Sequence, residues 1–326
     1  MRDSAFLHSC ISAFPVSVRY TAAAMVSRRQ LLLTPAALAV AGAFASRAGA
    51  AGKMTLAMHQ NTSSRAGFRP SLEGWARAGI TQAEITSNLL DQFLQAESLA
   101  TAKRLMSDLH LTPVSGACGV NGLLESTPER AKAIDAFKRR CEQWAELGIP
   151  KIYGTTQSST KPTEDGYKAA AANVAEAAAI ARGFNLTLMF EAVRTSTFAS
   201  TITTMLSITR AAAQPNAGLL FDCYHFWSGL GKMEDLETVK PGEIKHVHFQ
   251  DVPDMPRELL DTMTREIPGD GISPLPAILQ KLAAKGYTGP LSVELFLPKF
   301  SAGDPFAVAT AIKAKAEAVM RKAKVA

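Results

Sequence analysis

Ile244 to Asp251 reads Ile-Lys-His-Val-His-Phe-Gln-Asp, which puts two imidazoles and a carboxylate within six positions. Apolar and polar residues alternate as in a strand, and a period of two sets His246 and His248 on one face. Neutral imidazole and carboxylate both offer lone pairs to a divalent cation, so His246, His248 and Asp251 at a strand's end suit a metal site. The other reading is a pair of hydrogen-bonded histidines beside a surface Asp, and the octapeptide alone leaves both open.

Polar groups close other apolar runs in the same way. His59, Glu84 and Tyr153 end short β-rich stretches; Glu191 ends Leu-Met-Phe-Glu, Asp222 and His225 stand in Phe-Asp-Cys-Tyr-His, and Glu294 stands in Ser-Val-Glu-Leu. Of the six histidines, His59, His225, His246 and His248 all occupy such positions, whereas chance would scatter them through helices as well. Carboxylates after apolar strands are costly to desolvate unpaired. Glu191, Asp222 and Glu294 have no basic residue in their own strands, and one divalent cation (Mn, Mg, Co, Fe or Zn) is the simplest countercharge. Separate salt bridges to loop arginines are the alternative.

Short β-rich runs and helical stretches alternate from Lys53 onward and must carry these groups. Strands are expected at 54–59, 79–85, 111–117, 149–154, 186–191, 218–222, 244–249 and 291–295. Helices are expected at 72–78, 96–109, 128–147, 167–182, 199–212, 233–239, 275–285 and 305–322. Eight alternations in this length predict an α/β fold, a single (β/α)8 TIM barrel over residues 51–326. A doubly wound sheet would more often show a glycine fingerprint after its first strand, where His59-Gln60-Asn61-Thr62 stands instead.

The 326-residue chain is 47% apolar, enough for a large core, and its formal charge is +6. Residues 1–50 hold Arg2, Arg19, Arg28, Arg29 and Arg47 against Asp3 alone. Without them 30 basic face 28 acidic residues, a balance of +2 that implies no nucleic-acid partner. Ser27-Arg28-Arg29-Gln30-Leu31-Leu32 precedes an Ala-rich run from Pro35 to Ala45 and ends in Ala48-Gly49-Ala50. The pattern resembles a twin-arginine signal, with cleavage expected near Ala50, no stable membrane anchor, the twin-arginine export machinery as a partner and a periplasmic destination. Met25, just upstream, is an alternative start to Met1. Cys10, Cys118, Cys141 and Cys223 show no regular spacing and predict no disulfide framework.

Leu-Met-Phe-Glu191, Asp222-Cys-Tyr-His225, His246-Val-His248-Phe-Gln-Asp251, Pro268-Gly-Asp-Gly271 and Gly286-Tyr-Thr-Gly-Pro-Leu-Ser-Val-Glu294 together resemble the xylose isomerase-like barrels. That superfamily includes sugar and sugar-phosphate isomerases and epimerases, hydroxypyruvate isomerase and inosose dehydratase. The resemblance is best over residues 185–296. It implies Glu191, Asp222, His248 and Glu294 as ligands of one divalent metal ion, Glu191 and Glu294 as the proton-transferring pair, and His225 as a contact to a substrate oxygen. The implied chemistry is isomerisation or epimerisation of a keto- or aldo-sugar through an enediolate. A dehydratase or lyase acting on an inosose or keto-sugar, and a non-catalytic periplasmic sugar-binding barrel, are the alternatives.

Around that centre, His59 and Glu84 are candidate substrate contacts, with a core histidine and a structural salt bridge as the other readings. Arg257 and Arg265, on the long segment after the seventh strand, have the planar donor fork to grip a phosphate or carboxylate. They could equally pair with Asp251, Asp254 or Asp270. An exported protein would meet free or oxidised sugars more often than phosphorylated ones.

Overall fold

The computed structural model describes residues 53–326, so the leader and the export signal expected there lie outside the described residues. Eight parallel strands close a barrel in sequence order: β1 (Thr55–His59), β2 (Gln82–Ile85), β3 (Thr112–Ala117), β4 (Lys151–Thr155), β5 (Thr187–Glu191), β6 (Ala217–Asp222), β7 (Ile244–His248) and β8 (Pro290–Val293). β8 pairs with β1 to complete the circle.

Each strand is followed by helix. Arg130–Leu147 shows how one seats: Trp144 lies so close to β3 that a Cβ on Gly116 would come within 2.6 Å of its ring. Pro305–Lys322, the last helix, starts with Asp304 capping the N–H of Ala307 and proline in its first turn. The second strand begins three residues later than expected because Gly79, at φ +77°, is still closing the preceding helix. A helix at Ser87–Phe93 was not expected, and the stretch after β6 is an α-helix over Cys223–Ser228 before a 3-10 turn at Met233–Thr238. Among the described residues no helix is long and apolar enough to cross a membrane.

Alternation within the strands sends one set of side chains out to the helices and the other into the lumen. Bonds between non-neighbouring strands identify the second set, because they must cross the barrel. Glu84 on β2 meets His246 on β7, and His59 on β1 meets Tyr153 on β4. Beside Tyr153 the lumen is filled by Ala117, Met189 and Leu220. Glu191, Asp222, His248 and Glu294 stand at the C-terminal ends of β5, β6, β7 and β8, the end that carries chemistry in this fold.

Candidate metal centre

Four buried groups converge at that end. His248 Nδ1 lies 3.3 Å from Glu191 Oε1, 3.3 Å from Glu294 Oε2 and 3.5 Å from Asp222 Oδ2. One ligand atom from each of the four residues lies within 4.8 Å of every other. Donors placed about 2.0–2.2 Å from a tetrahedral ion stand about 3.3–3.6 Å apart, so the His248-centred spacings fit one small dication. Three carboxylates and an imidazole, all desolvated, are also the donor set such an ion prefers.

A surrounding layer orients each donor. Glu84, with no exposed surface, lies 2.9 Å from His246 Nε2 and 3.3 Å from His248 Nε2. Its carboxylate only accepts, so Nε2 of His248 keeps its proton and Nδ1 is the nitrogen that can give up its own and present a lone pair to an ion. Asp222 accepts the N–H of His225 on Oδ1 at 2.6 Å, and on Oδ2 the amide of Gln250 at 2.7 Å. Asn61 donates to Glu294 Oε1 at 3.0 Å. Arg265, only 2% exposed, donates from Nη1 to Asp222 Oδ2 (3.1 Å) and Glu294 Oε2 (2.5 Å), and from Nη2 to His225 Nε2 (3.1 Å). Its guanidinium stacks over Tyr224 and Phe296.

The electrostatics follow from this packing. Burial pushes the Glu191 carboxyl up, His248 pulls it back, and Asp222 and Glu294 push again, leaving it at about 8. Burial acts on Glu294 too, but Arg265 and the protonated His248 outweigh it and hold that carboxyl far below the usual range. Asp222 is likewise held low against burial, by Arg265 and His248. Burial depresses the His248 imidazole, yet Glu84, Glu294 and Glu191 together raise it well above its ordinary value. His225 is lowered to about 4 by burial, which Asp222 opposes and Arg265 reinforces. It is therefore neutral, as an acceptor of the Arg265 N–H must be.

His59, Glu84 and His248 form a second close group of potential ligands. Hydrogen bonding argues against an ion there. The N–H of Asn61 donates to His59 Nδ1, so the neutral ring carries its proton on Nε2, which faces Tyr153 at 2.8 Å and Glu294 at 3.4 Å. A protonated nitrogen is a donor and no ligand.

Not every candidate from sequence arrives at the centre. Glu84 sits beneath the histidines and offers no atom to a substrate, since His246 and His248 occupy its oxygens. Arg257 is exposed and donates to the carbonyls of Gly229 and Trp227, stapling two loops away from the four groups. His246, on the same face as His248, binds Glu84 instead of joining the cluster. Asp251 is a loop clamp: its two oxygens accept the N–H groups of Val252, Ser273, Gly269 and Gly271. Arg265 does reach the centre, though as the partner of two carboxylates. Asn61 and Gln250 were not among the candidates, and Tyr153 stood out only as a polar group closing the fourth strand, with no role assigned. Asn61 and Gln250 carried only a weak signal, an amide just past a strand end.

A family model for the xylose isomerase-like TIM barrel matches residues 73–322. The inosose isomerase of Halalkalibacterium halodurans is 27% identical over 237 residues, covering 70% of this chain and 83% of that protein. A 3-dehydroshikimate dehydratase of Pseudomonas putida is 28% identical over 119 residues, which is 36% of this chain and 19% of that one. Among solved structures, the IOLI protein with a bound zinc atom superposes with a TM-score of 0.75 at 23% identity, over 82% of this chain and 99% of that chain. An L-ribulose 3-epimerase superposes at 0.63 with 18% identity, over 83% and 96%. Both share the fold.

Proposed function

The chain belongs to the xylose isomerase-like TIM barrel family, and on that premise we propose that it is a divalent-metal-dependent isomerase or epimerase of polyhydroxy ketones, the inososes and keto-sugars, working through an enediolate. The observation that carries this is the convergence of Glu191, Asp222, His248 and Glu294 at the C-terminal ends of four successive strands. These four would hold the ion, which supplies a Lewis acid for the carbonyl and neighbouring hydroxyl oxygens of the substrate.

Two carboxyls whose environments push their proton affinities apart are an acid and a base in waiting. Glu294 is ionised over the whole neutral range and is the base for the C–H proton next to the carbonyl. Glu191 gives up its proton when the ion binds but keeps the higher proton affinity of the two. It takes a proton back from solvent during turnover and returns it to the adjacent carbon or to the other face, while Glu294 releases its own to solvent. They rise from β5 and from the end of β8, flanking His248, so a substrate between them meets one on each side. Neutral His225, 3.7 Å from Glu191, positions a substrate oxygen. Asn61 and Arg265 fix the Glu294 carboxylate.

Among the described residues Arg265 is the one arginine or lysine ion-paired to the four groups, and both its contacts are to carboxylates. A phosphate would find no uncommitted cation there, which favours an unphosphorylated substrate. Similarity to inosose isomerases over most of their length favours a cyclic polyhydroxy ketone. Dehydratase chemistry, supported by the shorter match to 3-dehydroshikimate dehydratases, would expel a β-hydroxyl from the same intermediate and give a product lighter by one water. The twin-arginine-type leader over residues 1–50 supports export to the periplasm. Amino-terminal sequencing of periplasmic protein, expected to start near Ala51, tests that assignment.

Metal analysis of purified protein, followed by incubation with keto-inositols and ketohexoses in D₂O, tests the catalytic assignment. Deuterium should enter a carbon next to the carbonyl and should stop after chelation. Metal-loaded protein that exchanges nothing across the panel would refute it.

A further inference from the structure

Tyr153 has a hydroxyl that the four-group centre does not explain. It sits on β4 two residues before the register partner of Glu191, buried, with its ring 5.4 Å from that of His248 in an edge contact. Ala117, Met189 and Leu220 pack around it and leave the ring no alternative place. Its one hydrogen-bond partner among the described residues is His59 Nε2, at 2.8 Å.

The direction of that bond is settled by the backbone. His59 Nδ1 is occupied by the N–H of Asn61, so Nε2–H is the donor and the Tyr153 oxygen the acceptor. The phenolic hydrogen is then left without an acceptor among the described residues. A hydroxyl that already accepts a bond is polarised and donates more strongly. Burial, with Glu294 and Glu84, drives the phenol well above its ordinary range, so the hydrogen stays in place at working pH.

We infer that Tyr153, held by His59, donates a hydrogen bond to the substrate oxygen on which negative charge grows as the C–H proton leaves. Tyr153 is thus a catalytic residue on the β4 side of the site, and His59 a positioning residue acting through it. The assignment rests on the enediolate chemistry proposed above. A fixed donor aimed at developing charge is worth about 100-fold in turnover, because the bond strengthens in the transition state and contributes less to the ground state.

Tyr153→Phe removes the oxygen and keeps the ring. In the deuterium-exchange assay it should lower kcat about 100-fold, with KM within threefold of the parent and zinc affinity unchanged, while the buried His59 N–H that loses its acceptor should lower the melting temperature only modestly. His59→Gln, which can still offer an N–H, should retain more activity than His59→Leu. Exchange by Tyr153→Phe within twofold of the parent protein would overturn the inference while leaving the isomerase assignment intact. A loss matched by a parallel fall in zinc affinity would overturn it too, since the role would then be structural. If the parent protein exchanges nothing, the isomerase assignment falls first and the role of Tyr153 falls with it.

Discussion

Glu84→Gln is the sharpest perturbation of the metal centre, because Glu84 touches neither the ion's place nor the substrate's. The carboxylate sits 2.9 Å from His246 Nε2 and 3.3 Å from His248 Nε2, with both histidines fully buried. With the ion bound, each imidazole donates to the carboxylate, and each keeps Nδ1 free of hydrogen. An amide of the same shape offers one acceptor and one donor, so one histidine must take the other tautomer. If His248 changes, its Nδ1 acquires a hydrogen directed at Glu191, Asp222 and Glu294, and the ligand is lost. If His246 changes, the hydrogen falls on a buried nitrogen that has no partner among the described residues. In either case the negative charge that made His248 a better ligand has gone. Replacing such a supporting carboxylate typically weakens metal binding 10–100-fold, about 1.4–2.7 kcal/mol. Competition against a chromophoric chelator measures the change directly, with circular dichroism as the check on folding. Affinity within threefold of the parent, in a folded variant, would refute the reasoning that Glu84 sets the His248 tautomer.

Metal affinity should fall with acidification. Glu191 at about 8 and His248 well above its ordinary value are both protonated in the metal-free protein at neutral pH, so an ion must displace both protons. From pH 7 to 6 the loss should approach 100-fold, and calorimetry in buffers of different ionisation enthalpy should count close to two protons released. The metal-free fold should move the other way. Groups with raised folded values stabilise it fully below their ordinary values and lose that contribution as pH rises, through about 8 for Glu191, so its melting temperature should drop between pH 6.5 and 8.5. Arg265→Gln strips the countercharge from Asp222 and Glu294 and should cost the metal-free protein about 3–5 kcal/mol. Zinc should restore part of that in scanning calorimetry, and equal losses with and without zinc would refute the pairing. Asp251→Asn sets an amide donor against backbone N–H groups and should cost about 3 kcal/mol for two charge-assisted bonds lost. Zinc affinity should stay within threefold, and a larger fall would return Asp251 to the metal centre.

The barrel was legible because short apolar runs alternate eight times with helical stretches, and each group of the centre is a polar residue closing such a run. Glu191 and Asp222 stand out in Leu-Met-Phe-Glu and Leu-Leu-Phe-Asp for that reason. Partnership was not legible. Glu84 and His246 are separated by 162 residues, and nothing local distinguishes a carboxylate that meets substrate from one that holds a histidine. The segment between β7 and the helix Leu275–Ala284 has no periodicity to read, so Asp251, Arg257 and Arg265 looked alike in sequence. One became a clamp, one a staple and one the countercharge of the site. The helix Ser87–Phe93 was missed because Thr86-Ser87-Asn88 has the composition of a turn.

Charge explains why so many ionisable groups can share one low-dielectric core. Without metal, Glu84, Asp222 and Glu294 are negative, His248 and Arg265 are positive, and Glu191 is protonated, which leaves a single net negative charge. A dication that expels the protons of His248 and Glu191 leaves four carboxylates facing Arg265 and the ion, again a single net negative charge. The exchange is therefore neutral overall, and the surrounding apolar shell of the barrel sees no new monopole to solvate. A monovalent ion displacing the same two protons would add one uncompensated negative charge, and a trivalent ion would remove one. Charge balance thus disfavours a monovalent ion, and the guanidinium of Arg265 weakens the pull of the site on a third positive charge. Arg265→Gln should then narrow the preference for zinc over a trivalent lanthanide by at least tenfold, because with the guanidinium gone the extra positive charge becomes the better match. An unchanged ratio would mean that donor geometry, and not charge balance, selects the ion.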